Sequence, residues 1–141
     1  MSGYRVIEHT ADIGIKVEGS SLKELFLNSA KGMVDLVVDC RIVSNSQYQS
    51  FEKISLKADI KEQLLVKWLE ELLYLFEVKN NIPISFNIID IVDTDLRAEV
   101  GIVPLDPEIH RIKYQIKAVT YHNLKIEEKK GLFKTRIIFD I

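Results

Sequence analysis

Near the start of the sequence, His9 to Gly14 read HTADIG, so an imidazole, a hydroxyl and a carboxylate follow one another closely. The last residues read FDI, in which the side chain of Asp140 is adjacent to the main-chain carboxylate of Ile141. If Asp12 lies beside these two groups, the repulsion among the oxygen anions must be offset by a proton or a cation. Oxygen ligands select Ca²⁺ or Mg²⁺ over zinc or copper. The hypothesis is therefore a hard-cation site, provided that the two ends of the sequence meet.

Each of these residues also has a purely structural interpretation. Asp12 could be a turn carboxylate that accepts backbone N–H bonds, with Gly14 relieving a backbone constraint. His9 could be a half-buried, hydrogen-bonded histidine. Asp140 and Ile141 could form a solvated, frayed tail. However, TRIIFDI alternates apolar residues up to its last position, and that pattern favours a docked strand.

Other residues that could carry chemistry have weaker signatures. Lys117 is interpreted as an outward-facing lysine of a predicted strand. His110 and His122 do not have zinc-site spacing, and the sequence lacks the common phosphate-binding and nucleophile motifs. Cys40 is the only cysteine, which excludes an intramolecular disulfide and a cysteine-based zinc cluster, and it is expected to pack at a helix exit.

The composition predicts one soluble, cytoplasmic domain spanning residues 1–141. Of the 141 residues, 47% are hydrophobic, which suffices for a core without disulfides. No apolar run approaches the ~18 residues of a membrane span, and the N-terminus has no targeting pattern. The formal charge of -2 provides no basic field for nucleic acid, so a protein partner is expected first, and no sequence-specific nucleic-acid binding or membrane association.

Two segments have helical apolar periodicity. The first begins at a capping box formed by Ser21 and Glu24. The second has Asp59 and Glu62 as the corresponding pair and carries a wide apolar stripe that includes Trp68. Because most aromatic stripes are core, Trp68 is predicted to pack rather than to bind a ligand.

The remainder alternates with period two, which indicates strands. The predicted strands lie at 54–58, 82–88, 96–102, 112–118, around Leu124 and Ile126, and at 133–139, with a bulge or bend near Ala118 and a hairpin turn at 129–131. Successive strands with only two helices predict an α+β fold, with two amphipathic helices packed on a mainly antiparallel sheet of about seven to eight strands.

The quoted segments, in this order, resemble the archease family: HTADIG, LVKWLEELLYLFE, PLDPEIH, KAVTYHNLKIEE and RIIFDI. The resemblance covers nearly the full chain. It implies a non-catalytic accessory protein of the RtcB-type tRNA-splicing RNA ligase, which promotes guanylylation of the ligase and multiple turnover. It also implies that Asp12, Asp140 and Ile141 bind a divalent cation, Ca²⁺ before Mg²⁺, and that Lys117 is functionally required; His9 is included as a partner-activating candidate.

One position departs from the family pattern, because Val103 stands where family members often carry a glutamate. The surface around Pro104 is therefore expected to contact the partner differently. A monomer is expected. The competing interpretations are a stand-alone, metal-dependent phosphate-ester hydrolase and a general chaperone or RNA-binding module.

Overall fold

The computed structural model describes residues 3–8, 12–39 and 50–141. His9, Cys40 and the surface loop predicted at 44–47 lie outside these ranges. Within them the chain forms two helices and eight strands. The helices are α1 (Leu22–Val37) and α2 (Lys61–Glu77), and the strands are β1 (Gly3–Glu8), β2 (Asp12–Gly19), β3 (Ser50–Lys57), β4 (Asn81–Val92), β5 (Asp95–Pro104), β6 (Ala118–Val119), β7 (Glu127–Lys129) and β8 (Leu132–Asp140).

The strands form two antiparallel sheets, so the predicted α+β class and strand number are confirmed. In the five-stranded sheet the order is β1-β2-β8-β6, with β7 also paired to β8. Because β2 occupies one edge of β8, β6 and β7 share the other edge. The second sheet has the order β3-β5-β4. Both helices contact strands of both sheets, which places the core between the sheets.

Helix α1 begins where the sequence predicts. The Ser21 side chain accepts a hydrogen bond from the Glu24 backbone N–H at 3.0 Å. The Glu24 carboxylate accepts from the backbone N–H of Ser20 at 2.9 Å, one residue before the position that a capping box would use. Gly32 lies inside the helix because a Cβ there would meet the Tyr4 ring at 2.9 Å, so its absence lets α1 approach β1 closely.

The cap pair predicted for α2 is wrong. The N-cap is Ile60, without a side-chain cap bond. A side chain of the first helical turn does bond back to the preceding backbone, but it is Gln63, whose side-chain oxygen accepts a hydrogen bond from the Asp59 N–H at 2.8 Å. The Glu62 carboxylate instead accepts a hydrogen bond from the Ile126 N–H at 2.8 Å, so it makes a tertiary contact and does not cap the helix. Among the described residues, no helix is long and apolar enough to cross a membrane.

The long strand predicted at 112–118 is also wrong. The segment pairs with β8 only at Ala118 and Val119, and Ile112 forms an isolated bridge with Val38. The Lys113 N–H donates to the Val37 carbonyl at 2.7 Å, which ties this segment to the end of α1. The part of β8 from residue 132 to 134 is already paired with β7, so only the end of its edge is open to this segment.

The predicted hairpin is confirmed, but the strand before it is shifted. Lys130 and Gly131 both have positive φ, 55° and 77°, as a two-residue type I′ turn requires. Lys129 pairs with Leu132 across that turn. The preceding strand begins at Glu127 and not around Leu124, whose N–H closes a turn with the Tyr121 carbonyl.

Trp68 packs in the core, as predicted. Its side chain is fully buried. The indole N–H donates to the Phe26 carbonyl at 3.0 Å, and the ring makes an edge contact with Phe86, with centroids 6.3 Å apart. Trp68 therefore joins α2, α1 and β4.

Candidate functional site

The two acids singled out in the sequence are opposite each other in the five-stranded sheet. In the antiparallel pairing of β2 with β8, the Cα partner of Asp12 is Asp140. Residues directly opposite in an antiparallel pair have Cβ atoms about 4.5–5.5 Å apart. The register continues without interruption to Gly19 and Phe133, so both acids lie on the same face of the sheet.

The two carboxylates have different environments. Asp12 is partly buried, and its Oδ1 is buried with no hydrogen-bond partner within the described ranges. Asp140 is exposed. An unpaired buried carboxylate oxygen is costly, so it usually indicates a ligand or solvent contact. Ile141 follows directly and packs against the core, which fixes the end of the chain beside the acids.

Lys117 reaches this site through its backbone. Its N–H donates to the Asp140 carbonyl at 2.8 Å, and Ala118 is the Cα partner of Asp140 in β6. The Lys117 side chain is exposed, as expected for an outward lysine. The structure therefore brings Asp12, Asp140 and Ile141 together, and it brings the backbone of Lys117 to the same place.

The local chain path depends on Gly14. A Cβ at this position would meet Ile138 Cδ1 at 2.8 Å and the Ile137 carbonyl oxygen at 3.0 Å. The Ile138 side chain thus covers the glycine, which lies two residues from Asp12 on the same face. This explains the glycine of HTADIG by close packing, since its φ is not in the left-handed region.

Neither histidine of the described residues is a metal ligand beside the two acids. His9 lies outside the described residues. His110 is buried, and its Nδ1 accepts a hydrogen bond from the Asp106 N–H at 2.9 Å, so this nitrogen already has a structural partner. His122 is exposed. In the described part of the chain, no group of three His, Cys, Asp or Glu residues could hold a metal ion.

Comparison with known proteins decides the family. The model of the Archease protein family (MTH1598/TM1083) matches residues 4–141. The chain belongs to the archease family.

Archease relatives match over almost the whole chain. Protein archease of Methanosarcina acetivorans is 35% identical, covering 98% of this chain and 95% of its own. Protein archease of Pyrococcus abyssi is 33% identical, with both chains covered to 100%.

Two solved structures share the archease fold. The solution structure of Methanobacterium thermoautotrophicum protein 1598 has a TM-score of 0.76 at 29% identity, with 100% of both chains covered. The crystal structure of a Thermotoga maritima protein, described as an archease and possible chaperone, has a TM-score of 0.63 at 22% identity, covering 96% of this chain and 94% of that one.

Val103, the position expected to depart from the family pattern, lies in the core, which the sequence did not indicate. Val103 is fully buried, where it pairs with Ile82 of β4. A glutamate here would have to be accommodated in the core, whereas the following Pro104 is exposed. The alternating apolar pattern of β5 assigned Ile102 to one face, but Ile102 and Val103 are both buried, so this end of β5 is covered on both faces.

Proposed function

We propose that this archease is a non-catalytic activator of an RtcB-type RNA ligase, promoting guanylylation of the ligase and multiple turnover in tRNA splicing. The observation that carries the proposal is the pairing of Asp12 with Asp140, with a buried, unpartnered oxygen on Asp12. These acids are at the positions that the family resemblance assigns to function. In this proposal the protein acts in the cytoplasm on a protein partner.

The donor chemistry fits a hard divalent cation, Ca²⁺ before Mg²⁺. Asp12, Asp140 and the main-chain carboxylate of Ile141 would hold it. A bound cation would offset the repulsion of the carboxylates and act as a Lewis acid on phosphate oxygens. Calcium takes six to eight oxygen ligands, so this set is incomplete and leaves positions for water or groups of the partner.

The exposure of Asp140 and Lys117 supports action at an interface. An exposed carboxylate on a rigid sheet, with a lysine whose backbone N–H is hydrogen-bonded to the carbonyl of the same residue, is suited to orient charged groups of a nucleotide-binding site in a partner. Orientation and electrostatic stabilisation supply most of the catalysis in related phosphoryl transfers. Lys117 would face the partner's anionic groups, and His9 is retained as a partner-activating candidate.

The test is guanylylation of a cognate ligase and multiple-turnover ligation, with and without the archease. We expect Asp12→Asn and Asp140→Asn to reduce stimulation at least ~10-fold, because each removes one charged ligand while keeping the side-chain shape. Asp59→Asn is the matched control, since this exposed acid precedes α2 and lies outside the β2–β8 pairing that forms the site. Full stimulation by a folded Asp12→Asn protein would exclude the acidic pair from the function.

Two further arms test the ligand set and the metal. A short extension after Ile141 removes the carboxylate from that residue and should reduce stimulation as the asparagine variants do. Titration of the archease with Ca²⁺ alone, followed by NMR shifts of the Asp12 and Asp140 amides, reports binding without a ligase. Shifts of equal size in Asp12→Asn and wild type would contradict a role for Asp12 in holding the cation.

The hydrolase and the general chaperone can each be tested by a direct assay. A stand-alone hydrolase would release phosphate from nucleotides in the presence of Mg²⁺, Mn²⁺ or Ca²⁺ without a partner, and we expect no release above background. A general chaperone would suppress aggregation of unrelated proteins, whereas a ligase activator acts on its partner. These assays separate a ligase activator from a hydrolase and from a general chaperone with the same purified protein.

A further inference from the structure

A row of three cations crosses the outward face of the five-stranded sheet. Arg5 of β1 is the Cα partner of Lys16 in β2, and Lys16 is the partner of Arg136 in β8. All three side chains are exposed. Neighbouring strands are about 4.8 Å apart, so the row extends about 10 Å across the sheet.

None of the three cations has an ion-pair partner among the described residues. Within the described ranges, no ion pair or hydrogen bond involves the side chain of Arg5, Lys16 or Arg136. Like charges directly opposite each other on a sheet are destabilising. A chain of net charge -2 has nevertheless concentrated positive charge here, which indicates a use for the row beyond folding.

The surroundings of this cationic row define the kind of ligand that fits. It lines a cleft of about 880 Å³ together with Lys134, Lys125 and the carboxylates of Glu18 and Glu127. Lys134 lies opposite both acids, as the partner of Glu18 in β2 and of Glu127 in β7, so its charge is partly offset. Lys125 adds a further cation that has no ion-pair partner among the described residues, so the cationic row and Lys125 carry the positive charge that the two acids do not offset.

We propose that the cationic row binds the phosphate groups of a single-stranded nucleic acid without reading its sequence. Phosphate contacts require cations and little else, and the planar guanidinium groups of Arg5 and Arg136 suit bidentate contacts to phosphate oxygens. An acidic protein segment would need apolar or aromatic anchors. The lining offers none: Val17 is buried in the core, and the Tyr4 hydroxyl bonds to Asp35 of α1.

This surface is separate from the acidic pair. Lys16 lies four residues from Asp12 on the same face, which is about 13 Å along a strand. The apolar row of Ile7, Gly14 and Ile138 lies between them. The inference goes beyond the proposed function, and it is tested with the archease alone, so failure of one does not imply failure of the other.

The experiment measures fluorescence anisotropy of a labelled oligouridine of about 12 nucleotides, titrated with the archease at several salt concentrations. Binding near 10⁻⁴ M or tighter is expected at low salt. For three phosphate contacts to a single strand, the slope of log K against log salt concentration should be about −2. Absence of binding at about 20 mM salt would overturn the proposal.

Charge reversal localises the binding. Lys16→Glu should weaken binding at least ~10-fold at low salt, because it places a carboxylate between the two arginines. The matched control is Lys53→Glu, which makes the same charge change at an exposed position of β3 in the other sheet. We expect less than a twofold effect there, and equal losses in both variants would overturn the proposal.

Two additional measurements keep the test decisive. Lys16→Gln removes one cation without adding an acid, so its slope should fall by about 0.7, even if Lys16→Glu does not fold. A polyglutamate of the same length is the competitor. Displacement of the oligouridine by an equal or lower concentration of polyglutamate would assign the row to an acidic protein and overturn the proposal.

Discussion

At the scale of single residues, Gly14 controls how closely β2 and β8 pack beside the acidic pair. Gly14→Ala would place a Cβ against Ile138 Cδ1 and the Ile137 carbonyl oxygen. The carbonyl belongs to the sheet and cannot easily move, so we expect unfolding free energy to fall by about 1–3 kcal/mol. Urea denaturation of the wild type and the variant measures this loss.

The Ile138 side chain provides a matched test of that explanation. Ile138→Val removes Cδ1, so Gly14→Ala should cost less in the Ile138→Val background than in the wild type. A double-mutant cycle of the four proteins gives the coupling. Additive losses would show that the side chain is not the obstacle.

At the scale of elements, the β4–β5 hairpin carries a charge pair that should respond to pH. The Arg97 side chain donates to both carboxylate oxygens of Asp90, with Nε 3.1 Å from Oδ1. This hydrogen bonding lowers the pKa of Asp90 below its usual value of 3.8. Because the folded pKa is lowered, the stabilisation is present above the unfolded pKa and is lost as pH falls through the folded value.

Arg97→Gln should raise the pKa of Asp90, as measured by NMR titration of its carboxyl carbon. The variant's deficit in unfolding free energy should be larger at pH 7 than below the folded pKa, where Asp90 is protonated in both proteins. Lys57→Gln is the control, since Lys57 of β3 forms an ion pair with Asp95, an acid of the same hairpin other than Asp90. An unchanged Asp90 titration in Arg97→Gln would contradict the assignment.

Local chemistry explains which elements could be predicted from the sequence. The N-cap of α1 was predictable because Ser21 and Glu24 bond within one turn. The cap of α2 was not, because the Glu62 carboxylate accepts a hydrogen bond from the backbone N–H of Ile126, which is distant in sequence. The strand predicted at 112–118 also failed because of contacts distant in sequence. Its apolar residues do alternate, with Ile116 buried, but a strand also needs an unpaired edge of another strand, and β7 occupies part of that edge of β8.

At the scale of the whole molecule, the division into two sheets lay beyond sequence reasoning. Alternation identifies strands, but it does not specify which strands pair across a long chain separation. The meeting of Asp12 with Asp140 is such a pairing. Residue chemistry supplied only the hypothesis of a shared site, and the family resemblance supplied the positions. The cationic row was missed because its members are isolated in sequence and aligned only by strand register.

The two sheets should unfold as one cooperative unit, because Trp68 connects both helices with the second sheet. Trp68→Phe removes the indole hydrogen bond to Phe26 and leaves space in a fully buried site, so we expect a loss of about 2–3 kcal/mol. Native-state hydrogen exchange should then show equal losses of protection at Ile15 in the first sheet and Val100 in the second. Tyr74→Phe, at a position 45% exposed on α2, is the control and should lose little. A loss confined to Val100 would instead show that the sheets open independently, with the core between them divided into two units.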